Sequence, residues 1–556
     1  MRAGRIGSWL LLGALTGCQG NIEGSLAGEV AAAGSGAMPP GGGLDTKTEC
    51  QKLGTGLNPG PSPLRRLTRD EYDNTIAELA NDTTKPGQDF PPEARALGFN
   101  NIADAQTVTT LLAEAYKTAA EGIAERATKD AAGLLGCSET DGACVDGFIQ
   151  RFGSRAYRRP LAADELQRLH AVYAWGQANT TAIDGVRMVI EVVLQSPDFL
   201  YRPELGAGEA APGVLHLSSY EMATRLSYLF RGSMPDQLLL DEAAADRLKT
   251  PEQVRTQAER LLAEPRARET FKSFHRQWLD LDQVAALDRD PALYAGYSDA
   301  IPGLLEQETE AFIDHVIFDD GGRLSTLLTA PYTFANDALA AFYGLSAPGG
   351  DAFKLVATDP AQRKGLLTQG SLLALQSKPQ QTSPVHRGKF VRESIFCQFL
   401  PPPPANLVIT PPELNPSLTT RQRFAQHSAD PSCSACHEQM DPLGLGFEHF
   451  DAVGRWRDTE NGLPIDATGT LVRTDIDGSF DGAAELADKL ATSDQVADCM
   501  MKEWARFSFG RSETPEDACS LERTKATFAA ADHDIKQLVL ALTQTDAFLY
   551  RKAVAP

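Results

Sequence analysis

Three observations predict a mainly α, multi-module helical protein with a small β-hairpin. Apolar residues recur at three- and four-residue spacing through most of the chain, two of these runs open on capping boxes, and strand signals are rare, the best of them in one stretch. The length, 556 residues, suggests roughly three or four folding units at about 100–200 residues each. With 42% hydrophobic and 23% charged residues the composition is globular, which excludes a wholly disordered, collagen-like or coiled-coil chain. Lys and Arg number 52 against 74 Asp and Glu, a net charge of −22 that repels phosphate backbones and anionic headgroups. No nucleic-acid partner is expected.

The chain opens with Arg2 and Arg5 before a short apolar run, Ile6 to Thr16. That run falls short of the roughly 18 apolar residues a spanning helix needs and reads as a secretion signal. It ends in Leu15-Thr16-Gly17-Cys18, which resembles a bacterial lipobox, so residues 1–18 are read as a lipoprotein signal with Cys18 the lipidated residue. The alternative is a plain signal peptide with an incidental cysteine. Residues 19–60 are rich in Gly, Ala and Pro and read as a flexible tether. The expected location is the periplasm or outer membrane, with membrane contact through the lipid anchor only.

The capping box Thr68-Arg69-Asp70-Glu71 leads into Tyr72, Ile76 and Leu79, and Ser218-Ser219-Tyr220-Glu221 leads into Met222, Leu226, Leu229 and Phe230. Helices are also predicted over 104–132, 144–174, 184–195, 250–278, 303–318, 386–399, 482–508 and 521–543. Glycines at 462, 469 and 478 punctuate 463–480, the predicted hairpin. The boundaries that follow are an N-terminal helical module (61–135), a second helical module (136–205), a central helical domain (206–345), a domain around the cysteine motif described below (346–457), and the hairpin with a C-terminal helical module (458–556). An internal repeat relates Gln195-Ser196-Pro197-Asp198-Phe199-Leu200-Tyr201-Arg202 to Gln544-Thr545-Asp546-Ala547-Phe548-Leu549-Tyr550-Arg551, and the helices before them match in outline.

Besides Cys18 there are eight cysteines, which in an exported protein are expected as disulfides or cofactor ligands. Cys137 and Cys144 flank a short polar loop that a disulfide can close. Cys499 and Cys519 flank the FGRSETPED loop likewise, which leaves Cys50 and Cys397 to pair by elimination.

The strongest chemical signal is Cys433-Ser434-Ala435-Cys436-His437. On about one helical turn, two thiols at this spacing reach the two vinyl groups of a haem and the adjacent imidazole comes beneath the iron. Covalent haem c is the favoured reading, with Cys433, Cys436 and His437 holding the cofactor and His437 the axial ligand. A zinc site and a plain disulfide are the alternatives, and the second C-x-x-C pair of a zinc ribbon is missing. The candidate sixth ligands are Met500 and Met501, each with a competing role in core packing, while His386 and His449 are read as structural or surface residues. Asp441-Pro442-Leu443-Gly444 and its continuation are expected to turn the chain sharply. Arg455, Trp456 and Arg457 are candidates for haem propionates or for ordinary surface pairing, and Pro401–Pro404 with Pro411-Pro412 for a stiff connector or a partner-docking strip. Asp475 to Asp481 lacks the closing Glu of a calcium loop and reads as turn chemistry. G-x-S-x-G, a Walker loop and H-E-x-x-H are absent from the sequence.

The stretches 64–79, 151–165, 193–202, 219–230, 387–404, 433–457 and 509–521 together resemble secreted multi-module proteins of planctomycetes and myxobacteria, built from several domains of unknown function. The resemblance implies export and a cytochrome-type haem motif on Cys433, Cys436 and His437; it implies no reaction. The reading that follows is an exported, lipid-anchored haem c protein passing electrons to an envelope redox partner. The alternatives are a peroxidase-like or other haem oxidoreductase with an open distal site, and a non-catalytic surface scaffold.

Overall fold

A computed structural model describes residues 44–137, 142–400, 412–427 and 431–553, without the side chains of 426–427 and 431–436. The lipobox Cys18, most of the tether and the proline connector at 401–411 lie outside the described residues. The described residues are mainly helical, with 24 α-helices among them and short, mostly two-stranded sheets. Both capping boxes form: Thr68 and Glu71 close one around the N-terminus of Arg69–Ala80, Ser218 and Glu221 the other around Ser219–Arg231. Each satisfies two orphan backbone donors with one side chain from either end.

Several predicted helices divide. The stretch 144–174 becomes Gly142–Ala156 and Ala163–Asn179, because Arg158 takes a left-handed conformation (φ 58°) ahead of Pro160. The stretch 250–278 breaks where Pro265 starts a second helix, 482–508 where Ser493 caps one, and 521–543 at the left-handed pair Asp532 and His533. The hairpin region holds two antiparallel pairs, Thr459–Glu460 with Leu463–Pro464 and Thr468–Leu471 with Gly478–Asp481. Its acidic residues serve the turn and the start of helix Asp494–Phe509: Asp477 accepts from the Arg473 and Thr474 amides, and Asp475 from the Ser493 hydroxyl and the Gln495 amide.

The internal repeat has a structural counterpart. Each copy forms a short helix, Pro197–Leu200 or Asp546–Leu549, running into a strand. Tyr201 pairs with Arg66, two residues before the cap Thr68, and Tyr550 pairs with His216, two residues before the cap Ser218. A buried arginine closes the carbonyl end of each short helix: Arg158 donates to the carbonyls of Asp198 and Phe199, Arg225 to those of Ala547 and Phe548.

The cysteine pairing differs in part from expectation. Cys137 is bridged to Cys144, but the Cys499–Cys519 pairing gives way to Cys50–Cys519 and Cys397–Cys499. The FGRSETPED loop is closed instead by ion pairs, Arg511 with Asp517 and Arg506 with Glu513. Cys519 thereby faces the N-terminal helix Thr46–Leu53, and Cys499 faces the chain leaving the π-helical turn Val391–Ile395.

Two cores result. One gathers the N-terminal helices around Tyr72, Phe148 and Phe199. The larger runs from Met222 through Phe274, Phe312 and Phe450 to Trp504 and Phe548, so the central helices and the C-terminal ones share apolar contacts with the segment bearing the cysteine motif.

Candidate functional site

Cys433, Cys436 and His437 lie on one helix, Pro431–Leu445. The helix continues through Pro442, so the expected sharp turn is displaced: the chain turns only after Leu445. The proline removes one amide, which orphans only the carbonyl of Glu438, an exposed residue that water can reach.

The helix is seated by two close backbone approaches to Pro384–Phe390. A Cβ on Gly444 would stand 1.8 Å from the Pro384 carbonyl oxygen, and one on Gly388 would stand 1.9 Å from that of Met440. Strand Thr468–Leu471 covers it at Pro442, where Gly469 makes a similar approach. Arg392, fully buried, donates to the Gln439 carbonyl and to Gln398.

His437 is partly buried. Its Nδ1 lies 3.0 Å from both carboxylate oxygens of Asp441, one turn further along. This pairing raises the His437 pKa above the ordinary histidine value, the Asp441 hydrogen bond being the main cause. A carboxylate can only accept, so Nδ1 carries the proton and the neutral ring presents its lone pair at Nε2, the tautomer a metal-binding imidazole uses. The donor set therefore suits a c-type haem: two cysteines on the helix that carries an imidazole of fixed tautomer. The cysteine side chains themselves lie outside the described residues.

Beneath the turn that ends the helix sits a buried charge network that no sequence motif announces. Glu448 accepts from Thr382 (2.8 Å) and Arg457 (2.9 Å) and faces Arg387 at 3.6 Å. Arg387 donates to the carbonyls of Phe447, Phe450 and Asp451. Burial pushes the Glu448 carboxyl up and the Arg387 guanidinium down to about 10, each against its partner's opposite charge. These residues are some 60 positions apart, and no local pattern joins them. Asp441 was findable, because i, i+4 is the spacing at which helical side chains meet.

The remaining candidates are placed as follows. Arg455 is bound to Asp451 and to the Ala295 carbonyl, Arg457 to Glu448, and Trp456 stacks on His449 at 4.5 Å, so this trio braces the protein itself. His449 also bonds the Arg457 carbonyl, while His386 lies between Ser383 (2.6 Å) and Lys378 (3.2 Å). Met500 and Met501 are buried on helix Asp494–Phe509, whose principal neighbours are Pro265–Trp278, Val391–Ile395, Ala518–Ala530 and Ile535–Leu542. The cysteine-motif helix is not among them. Met501 lines a small cleft with Lys525, Phe528 and His533. Cys397, Cys499 and Glu503 approach one another at metal-ligand distances, but both sulfurs are consumed in the disulfide.

Among the described residues no helix is long and apolar enough to cross a membrane, and the three disulfides fit an extracytoplasmic protein. No curated protein and no solved structure matches the chain. Five family models do, each described as a protein of unknown function: DUF1587 at 65–129, DUF1595 at 144–204, DUF1592 at 217–345, DUF1588 (PSCyt3) at 363–460 and DUF1585 at 477–548. These five modules follow one another through more than half of the sequence, so the chain has a multi-module arrangement of domains of unknown function.

Proposed function

We propose that this protein is an exported, lipid-anchored redox protein that carries one haem c on Cys433, Cys436 and His437 and exchanges electrons with a partner in the cell envelope. The observation that carries the reading is the motif helix, on which the imidazole of a C-x-x-C-H sequence has its Nδ1 proton held by a buried carboxylate. The module name PSCyt3 over residues 363–460 hints at the same chemistry. Haem, once bound, supplies a one-electron couple. For such a group the chain would supply two attachment sulfurs, at Cys433 and Cys436, and a nitrogen of fixed tautomer at His437.

Material matured where haem-attachment machinery exists is expected to keep haem through denaturing electrophoresis. Cys433→Ala with Cys436→Ala should abolish it, while Cys499→Ala, on a separate disulfide, should not. Colourless wild-type protein would leave the scaffold reading standing.

A second reading, a haem oxidoreductase with an open sixth position, is favoured by the placement of Met501 against the C-terminal helices. Carbon monoxide binding to the reduced protein would support it, and refusal would support electron transfer.

A further inference from the structure

We infer that Asp441 is a positioning residue that sets the reduction potential of the centre, holding it lower than a neutral hydrogen-bond acceptor behind the same imidazole would. The inference rests on the haem reading above and extends it to the regulation of that site.

The acceptor for the distal N–H of a metal-bound histidine can be a backbone carbonyl, a water or a carboxylate, and the choice tunes the ligand. Here it is a carboxylate, with both oxygens 3.0 Å from Nδ1. Asp441 is only 5% exposed, so water screens its charge weakly. Its place is fixed from both sides, by the helical spacing to His437 and by Pro442 and Leu443, which are packed against the hairpin strand and the core. A full negative charge behind the ring draws the Nδ1 proton toward the carboxylate and makes Nε2 a stronger electron donor. Electron donation and negative charge both favour the ferric over the ferrous state, so the potential falls.

Neighbouring Glu438 provides the control. It stands on the same helix next to His437 and carries the same charge, but its side chain is exposed. If net charge alone mattered, the two carboxylates would count alike. If the hydrogen bond matters, only Asp441 counts.

The experiment is a spectroelectrochemical titration of the full mature chain and three variants, with haem content measured on each. Asp441→Asn should raise the midpoint potential, Asp441→Glu should return it toward the wild-type value, and Glu438→Gln should leave it near wild type. An Asp441→Asn potential equal to wild type, or an upward shift no larger than that of Glu438→Gln, overturns the inference. Loss of haem from both Asp441 variants also overturns it, because the residue would then be needed for folding or attachment. Wild-type protein without covalent haem fails at the earlier step and overturns the haem reading itself, so the two failures are distinguishable.

Discussion

His275 sits in helix Pro265–Trp278 at 1% exposure, its Nδ1 donating to the Phe271 carbonyl and its ring walled by Phe274, Trp278 and Trp504. Nothing charged compensates a protonated ring there, and burial holds its pKa down to about 4 from 6.5. The unfolded chain takes up the proton near pH 6.5 while the folded one refuses it until about pH 4. Its contribution to stability is therefore complete above pH 6.5, declines as pH falls between those values, and is gone below about 4. One pKa unit is worth about 1.4 kcal/mol, so the decline attributable to this residue is about 3 kcal/mol. Denaturant titrations at a series of pH values should show a shallower acid decline in His275→Gln than in wild type; parallel curves would mean the ring is not buried as described.

The crossing of Pro384–Phe390 with Pro431–Leu445 depends on two glycines for opposite reasons of position: Gly444 admits the Pro384 carbonyl, and Gly388 admits that of Met440. Both obstacles are backbone, which cannot rotate away, so Gly444→Ala or Gly388→Ala must push the helices apart at a cost of about 1–3 kcal/mol. The double variant should cost less than the two together, since the first displacement makes room for the second methyl. Gly303→Ala, in helix Ile301–Phe318 with nothing within 4 Å of the added carbon, should be neutral or gain up to about 1 kcal/mol. Urea denaturation midpoints would check the series, and full additivity would contradict a shared crossing. These two contacts illustrate where the sequence stops being legible. Capping boxes, the hairpin and helical class follow from spacing over three or four residues, and so did the cysteine motif. The left-handed breaks at Arg158, Asp532 and His533 carry no glycine to announce them. The close approach of Gly388 to Met440, the Glu448 network and the cysteine partners depend on segments brought together from distant positions.

Taken whole, the molecule is tied, among the described residues, by three bridges spanning very different lengths of chain: 469 residues for Cys50–Cys519, 102 for Cys397–Cys499 and 7 for Cys137–Cys144. Burial and chain entropy predict different rankings for them. The N-terminal helix Thr46–Leu53, which Cys50 anchors, lies against Ala518–Ala530 but has no fully buried residue, so by buried surface alone its bridge holds down little. Cys397–Cys499 joins the chain just past the π-helical turn beside the motif helix to the core helix bearing Trp504 and should then matter most. A cross-link also removes freedom from the unfolded chain in proportion to the logarithm of the loop it closes. On that account the three are worth about 6, 5 and 2 kcal/mol in the order given. Replacing each pair by serine in the otherwise intact chain and measuring chemical denaturation discriminates between the two. We expect loss of Cys50–Cys519 to cost more than loss of Cys137–Cys144 by several kcal/mol, despite the incomplete burial of the helix it holds, because the fold it closes runs from the first described helix to the last module. A ranking in which Cys50–Cys519 is the cheapest to remove would show that the N-terminal helix is an appendage and that the repeat-built body after residue 64 is complete without it.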